Sequence, residues 1–220
     1  KNHVYYKGDI MVKADPGTFK IFSKFEGADH VYAKDKKAIY LNGDMVSINL
    51  NPKTFENLTG DVIKDSKRVM YLDTTGLTKR YRTLKSVDAP TFEYVGWCSD
   101  WADHPGYFKD KNMFYVGFKA RKDIDPKTFV QLGRIYLGLG DETDYARDKN
   151  YIYNDCAKVS YPIDSKTFVD LGHGFFKDKN HVWTQGQLLE RNIDPNTFEV
   201  VESSWKSFTK DKNHVWYGGE

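Results

Sequence analysis

Cysteine is scarce in this chain, with two residues in a length of 220, and methionine is nearly as rare with four. A disulfide framework shows more cysteines at regular spacing. Cys98 and Cys156 therefore neither require nor exclude an oxidising compartment. No run approaches the ~18 consecutive apolar residues of a membrane-spanning helix, so no transmembrane segment is expected. An excess of one charge is also missing: 33 Lys and Arg face 31 Asp and Glu, a net of +2. Asp stands beside Lys nearly everywhere, no basic stripe accumulates, and no nucleic-acid partner is expected. What the chain has in quantity is aromatic residues: 15 Tyr, 14 Phe and 5 Trp. Such a load speaks against disorder and favours strands.

The aromatics sit in a repeat, and the repeat decides the fold. One signature is Thr-Phe with Asp or Asn three residues before the Thr. Its six copies are DPGTF from Asp15, NPKTF from Asn51, DAPTF from Asp88, DPKTF from Asp125, DSKTF from Asp164 and DPNTF from Asp194. Their starts are 36, 37, 37, 39 and 30 residues apart. A second signature alternates with it: DKKAIY from Asp35, DSKRVM from Asp65, DKNMFY from Asp110, DKNYIY from Asp148, and DKNHVW from both Asp178 and Asp211. The chain opens on KNHVYY, a copy without its Asp. The two cysteines fall in different repeats and at different places in them. Starting at Lys1 is expected of a chain that has lost a leader or of a fragment. Beginning and ending at nearly the same point of the unit fits a segment of a longer array, or an array whose ends overlap.

Within a unit, Asp-Lys-Asn reads as a hairpin turn, because Asp accepts bonds from nearby amides and Asn tolerates the left-handed conformation. The next strand carries an apolar residue and then an aromatic, as in Val182 and Trp183. Successive side chains point to opposite faces, so both faces of this strand are apolar and both must be covered. Gly in Lys7-Gly8, Asn42-Gly43 and Gln185-Gly186 marks a second hairpin turn, leading to a third strand such as 44–48. The Thr-Phe signature reads as a helical turn capped by its Asp. Phe then shares a face with an apolar residue three positions later, and Gly96, Gly133 and Gly172 serve as C-caps. A type I turn entering a strand is the competing reading.

The expected fold is thus all-β: one tandem-repeat domain over 1–220, with six units of antiparallel meander plus a short helical turn. An open, solenoid-like stack tolerates the unequal spacing. A six-bladed propeller, the alternative, needs four strands per unit, for which 30 residues is tight.

The elements DKNMFY, DKNYIY and DKNHVW, with DPGTF, DPKTF and DPNTF, resemble the bacterial proteins named for their DKNYY motif, over essentially the whole chain. The resemblance implies bacterial origin and export, hence the cell surface or periplasm, and no catalytic role. DKKAIY, DSKRVM and DAPTF depart from the pattern, and irregular stacking is expected there.

Candidate sites are sought where units differ. The third unit is longer, with 23 residues between Asp65 and Asp88 where 15 or 16 is usual; its extra residues around Asp73-Thr74-Thr75-Gly76-Leu77 extend a hairpin. In Gly133 to Arg147, Asp141, Glu142 and Asp144 do not match the order of a calcium loop, and a solvated loop is expected. The richest segment is Gly96 to Tyr107. Cys98, Asp103 and His104 could ligate a metal, but zinc sites show paired ligands at set spacings, and no metal is expected. A Cys/His nucleophilic pair lacks an orienting third residue. The favoured reading is a contact patch of Trp97, Trp101, Asp103, His104 and Tyr107, since Trp and Tyr are enriched at binding hot spots. The plain alternative is that Trp97 and Trp101 cover an edge of the array.

No catalytic constellation and no cofactor site emerges. The expected function is non-catalytic binding or scaffolding, with aromatic and polar loops offered to a protein or polysaccharide. The alternative is a structural segment that self-associates through its end strands, KNHVYY and KNHVWY.

Overall fold

The architecture comes from a computed structural model. The structure describes residues 3–22, 30–73, 80–98, 106–136, 142–160, 162–184, 187–189, 192–201 and 208–217. Every sheet among them is an antiparallel meander of consecutive strands. The first has two strands, Tyr5–Tyr6 and Asp9–Ile10. The second has four: Lys20–Phe22, Tyr32–Lys34, Ile39–Leu41 and Asp44–Met45. The third runs Glu56–Asn57, Val62–Lys64, Val69–Asp73 and Arg80–Leu84. The fourth runs Glu93–Gly96, Tyr107–Lys109, Phe114–Val116 and Lys119–Arg121. The fifth is Val130–Tyr136, Glu142–Arg147, Ile152–Asn154 and Ala157–Lys158. The sixth is Val169–Gly172, Phe175–Lys177, Val182–Thr184 and Gln187–Leu188. The seventh has three: Glu199–Val201, Phe208–Lys210 and Val215–Tyr217. No helix among the described residues is long and apolar enough to cross a membrane.

The repeat is all-β as expected, but a unit differs from the expected one in two ways. The Thr-Phe signature forms a helical turn in one copy only. In each copy the Thr amide donates to the carbonyl of the leading Asp or Asn, at 3.1 to 3.3 Å, and the chain then passes into a strand. Only DAPTF tightens into one turn of 3-10 helix, Ala89–Thr91, capped by Asp88. Asp, Pro and Thr suit a type I turn as well as a helix start. The residues after the Phe decide between the two, and stretches such as Val130-Gln131-Leu132 favour extended chain. Consequently Gly133 and Gly172 are not helix caps. With φ of 99° and 78° they sit where the register of the new strand shifts by one residue, a bulge that favours glycine. Gly96 lies in a strand, and a Cβ there would overlap the Gln131 side-chain amide. The second difference is the strand entered from that turn, which gives a full unit four strands where three were expected.

The strand with two apolar faces is as expected. Ile39/Tyr40, Phe114/Tyr115, Ile152/Tyr153 and Val182/Trp183 are all nearly inaccessible. Val182 and Trp183 divide between two cores. Tyr32 and Ile39 of the second sheet pack with Phe55, Ile63 and Met70 of the third. Val62 and Val69 of the third pack with Phe92, Phe108 and Tyr115 of the fourth. Tyr145 and Ile152 of the fifth pack with Phe168, Phe176 and Trp183 of the sixth. Phe175 and Val182 of the sixth pack with Phe198 and Trp216 of the seventh. In three of these four cores a β-branched residue of one sheet meets the aromatic face and the Thr-Phe phenylalanine of the next; between the second and third sheets Ile63 and Met70 stand in for the aromatics.

The chain divides into two compact units, 1–94 with 108–120, and 95–107 with 121–220. Departing motifs do not disturb the stacking within the first, because Met70 and Ile63 keep the apolar character that Tyr and Phe have elsewhere. In the lengthened third unit, Val69–Asp73 and Arg80–Leu84 pair as a long hairpin, and 74–77 lie outside the described residues.

Candidate functional site

The second signature's Asp is the most connected side chain of the unit. Its Oδ1 accepts the amides two and three residues onward: Lys37 and Ala38 for Asp35, Asn150 and Tyr151 for Asp148, Asn180 and His181 for Asp178, all within 2.7–2.8 Å. This closes the hairpin turn. Its Oδ2 reaches back to the Thr-Phe signature and accepts the amide of the leading residue. The six such bonds are Asp15 to Asp35, Asn51 to Asp65, Asp88 to Asp110, Asp125 to Asp148, Asp164 to Asp178 and Asp194 to Asp211, all 2.8–2.9 Å. Where the strand carries Tyr, its hydroxyl donates to the same oxygen, as Tyr40 does to Asp35 at 2.9 Å and Tyr115 to Asp110 at 3.0 Å. These carboxylates are buried. Burial acts to raise the pKa of Asp35, Asp65 and Asp211, but the donated amides outweigh it and hold all three below the ordinary Asp value. Burial and the Asp35 carboxylate push Tyr40 up to about 12.

Two more contacts tie the signatures together. The Thr hydroxyl accepts the amide of the residue after the buried Asp, as in Thr128 with Lys149 at 3.1 Å. That residue's ammonium pairs with the leading Asp: Lys36–Asp15, Lys111–Asp88, Lys149–Asp125, Lys179–Asp164 and Lys212–Asp194, at 2.5–3.1 Å. The Lys partner is the main cause holding each of these five Asp below its ordinary value. In DSKRVM the Lys is Ser66 and the facing residue is Asn51, so both charges are missing together and neither is left alone.

A repeated residue that motif reading passes over is the cation just before the buried Asp: Lys34, Lys64, Lys109, Arg147, Lys177 and Lys210. In four copies it joins successive sheets, while Lys109 and Lys210 pair with Glu93 and Glu199 of their own sheets. Lys34 donates to the carbonyl of Phe55 (3.1 Å), Lys177 to that of Phe198 (2.8 Å) and Arg147 to that of Ser165 (3.0 Å). Buried Lys64 reaches Phe92 at 2.7 Å, Ala89 at 3.3 Å and Pro90 at 3.4 Å. The signal was a positive charge at one position in all six copies.

Of the candidate contact patch, Trp97 and Tyr107 are among the described residues. Trp101, Asp103 and His104 lie outside the described residues. Trp97 is exposed, and its carbonyl accepts the Gln131 side-chain amide at 2.8 Å. Tyr107 is fully buried, with its ring 4.8 Å from that of Phe129, and burial holds its hydroxyl well above the ordinary tyrosine range. It stands three residues before Asp110, the place of Tyr32 before Asp35 and Tyr145 before Asp148, so it is a core position of the repeat and not part of an exposed patch. Cys98 is disulfide-bonded to Cys156, so it offers neither a thiolate ligand nor a nucleophile. Cys156 occupies the second place of a tight turn with φ of 67°, where Gly8 and Gly43 stand elsewhere. Asp144, expected in a solvated loop, is a buried strand residue, and Asp141 is outside the described residues. Among the described residues no group of three or more His, Cys, Asp or Glu is placed to hold a metal ion.

The recurring carboxylates thus act as turn fasteners and the recurring cations as links between sheets. That set of roles belongs to a repeat family, and comparison with known proteins agrees. The model of the DKNYY family matches residues 1–157 and again 77–220. Neither a curated protein nor a solved structure matches the chain. With its full length covered by the two matches, the chain belongs to the DKNYY family.

Proposed function

We propose that the chain is a non-catalytic scaffold or binding module, exported from a bacterial cell, that offers aromatic and polar loops to a protein or polysaccharide. One observation carries this reading: the repeated ionisable side chains are already engaged by main-chain groups or by one another. A general acid or base needs a carboxyl raised toward neutrality, whereas Asp35, Asp65, Asp123 and Asp125 are all held below the ordinary value. The Cys98–Cys156 disulfide supports export, since such bonds persist in oxidising compartments. An open stack of sheets is favoured by the unequal spacing of the Thr-Phe signatures, 36, 37, 37, 39 and 30 residues apart. The six-bladed propeller gains from the four strands that fit between Asp164 and Asp194. Glycan-array binding by the isolated chain tests the function. Binding that falls on Trp97→Ala without loss of thermal stability is expected; turnover of a bound glycan contradicts the proposal.

A second reading, a structural segment that self-associates, is favoured by the outer strands. Among the described residues, Val215–Tyr217 has a strand neighbour on one side only, Phe208–Lys210.

A further inference from the structure

The fifth sheet departs from the other copies at three positions, and all three lie on one hairpin. Position 151, just before the two-faced strand, holds Tyr, where the other copies have His3, Ala38, Arg68, Met113, His181 and His214. Lys158 lies opposite Tyr153, whereas Ile10, Met45 and Leu188 lie opposite Tyr5, Tyr40 and Trp183. Cys156 stands in the turn between the two strands and is bonded to Cys98. Tyr151 and Tyr153 share a face, and Lys158 comes up on that face with its ammonium 3.3 Å from the centre of the Tyr151 ring. A residue that served the repeat alone would recur, and this pair does not. Beside it opens a cleft of about 230 Å³. Its apolar lining, Ile152, Val159 and Ile163, is the margin of the core shared by the fifth and sixth sheets. Its polar lining includes the exposed Asn150 and Ser160. Among the described residues the Lys158 ammonium has neither an ion pair nor a hydrogen-bond acceptor.

We propose that this cleft binds a carboxylated sugar residue of an acidic polysaccharide, with Lys158 paired to the carboxylate and Asn150 and Ser160 bonded to ring hydroxyls. The inference rests on the binding-module reading and names the partner's chemistry. Size is the first argument: pockets for drug-sized ligands run from ~300 Å³ upward, so a cleft of about 230 Å³ takes a single sugar ring. The lining is the second. One rigid pyranose offers C–H groups to the apolar side, hydroxyls to the amide and the Ser160 hydroxyl, and a carboxylate to the ammonium. The surrounding charges are the third. The Lys158 charge is felt at Asp123, but Arg121 already holds that carboxylate through bonds of 2.8 and 2.7 Å. Asp164, next to Ile163, pairs with Lys179 at 3.1 Å. These two carboxylates disfavour a run of acidic side chains and suit one carboxylate set among neutral hydroxyls. The Tyr151 ring steadies the ammonium, and the disulfide fixes the turn between the strands, so little ordering is left for the ligand to induce. The same bond ties exposed Trp97, the neighbour of Cys98, to this hairpin.

Titration calorimetry of the whole chain with trigalacturonic acid, its methyl ester and pentaglutamate tests it, beside a glycan array carrying acidic and neutral glycans. Neither Lys158 nor Tyr151 is buried, so Lys158→Gln and Tyr151→Ala are expected to fold, and circular dichroism checks this. The expected result is binding of trigalacturonic acid that weakens roughly tenfold or more on methyl esterification or in Lys158→Gln, and about threefold in Tyr151→Ala. Pentaglutamate bound as tightly as the sugar overturns the assignment in favour of an acidic peptide. Acidic glycans held equally by the natural chain and Lys158→Gln, or an array on which only neutral glycans are held, overturn the cleft and leave the binding module standing. An array that holds no glycan at all overturns the cleft and the polysaccharide partner together.

Discussion

The Asp148 carboxylate accepts the main-chain amide of Asp125, 23 residues earlier, at 2.8 Å, while its other oxygen closes its own turn on Asn150 and Tyr151. One buried side chain thereby fixes the local hairpin and the start of the unit to each other. Asp148→Ala leaves these amides without their acceptor and is expected to cost about 3 kcal/mol, on the scale of ~1–3 kcal/mol for each unsatisfied buried group. Asp148→Asn keeps an acceptor oxygen and costs less. Urea denaturation of the two variants, monitored by fluorescence, checks the order.

Removing the ammonium of Lys64 strands the carbonyls of Ala89, Pro90 and Phe92 at a buried junction between sheets. Lys64→Met is expected to destabilise by about 2 kcal/mol. Lys210 holds the same position in the seventh sheet but pairs with exposed Glu199 at 2.7 Å. Lys210→Met is therefore expected to cost under about 0.5 kcal/mol, as surface ion pairs do. Equal losses for the two variants would contradict the assignment of this position as an inter-sheet link.

The uncharged pair in the second copy predicts a measurable coupling. Asn51→Asp alone adds an unpartnered carboxylate and Ser66→Lys alone an unpartnered ammonium, whereas the double variant recreates the pair seen in the other five copies. A double-mutant cycle is expected to give a favourable coupling of about 0.5 kcal/mol, weakened by salt. A coupling of zero at low salt contradicts it.

Stability should fall at both ends of the pH scale, for opposite reasons. Asp35, Asp65 and Asp211 have folded pKa values below their unfolded ones, so the native state holds fewer protons on them. Their contribution is complete above the ordinary Asp value of 3.8 and is lost as pH drops through the folded values. Tyr40, raised to about 12 from 10.0, contributes fully below pH 10 and loses that contribution as pH rises toward its folded value. Denaturant midpoints measured across pH are expected to show a plateau between these limits. Tyr40→Phe should make the alkaline limb shallower by that one residue's share, because Tyr32, Tyr107, Tyr115 and Tyr153 are raised as well, and should leave the acid limb in place.

The Cys98–Cys156 bridge spans 58 residues of sequence. Its removal is expected to cost about 4 kcal/mol in a chain-entropy account. Cys156 has a left-handed backbone that suits glycine better than any side chain. Cys98→Ser with Cys156→Gly is thus expected to melt higher than Cys98→Ser with Cys156→Ser, in differential scanning calorimetry. The reverse order would show that the turn carries no strain of this kind.

Local chemistry was legible in the residues. The Asp-Lys-Asn turn, the Asn42-Gly43 hairpin and the two-faced strand all arise from interactions within a few positions, and they stand in the structure. The second oxygen of each Asp was not legible, because its partner lies 14 to 23 residues upstream and nothing in a one-dimensional pattern brings the two together. The Thr-Phe turn misled for a different reason: Asp, Pro and Thr are common to helix starts and type I turns, and the extended residues after Phe carry the decision. Tyr107 reads as part of an irregular segment because Trp97, Cys98 and Trp101 precede it, whereas its fixed distance to Asp110 marks it as a core position of the repeat. The cysteines occupy unrelated positions of the unit, so periodicity offered no reason to pair them.

One carboxylate joins the two signatures in every copy, and the whole repeat depends on that link. Native-state hydrogen exchange of the main-chain amides of Asp15, Asn51, Asp88, Asp125, Asp164 and Asp194 tests it most directly. All six should exchange far more slowly than exposed turn amides, and Asp148→Ala should release Asp125 first. Exchange of these six at the rate of unprotected turns would contradict it.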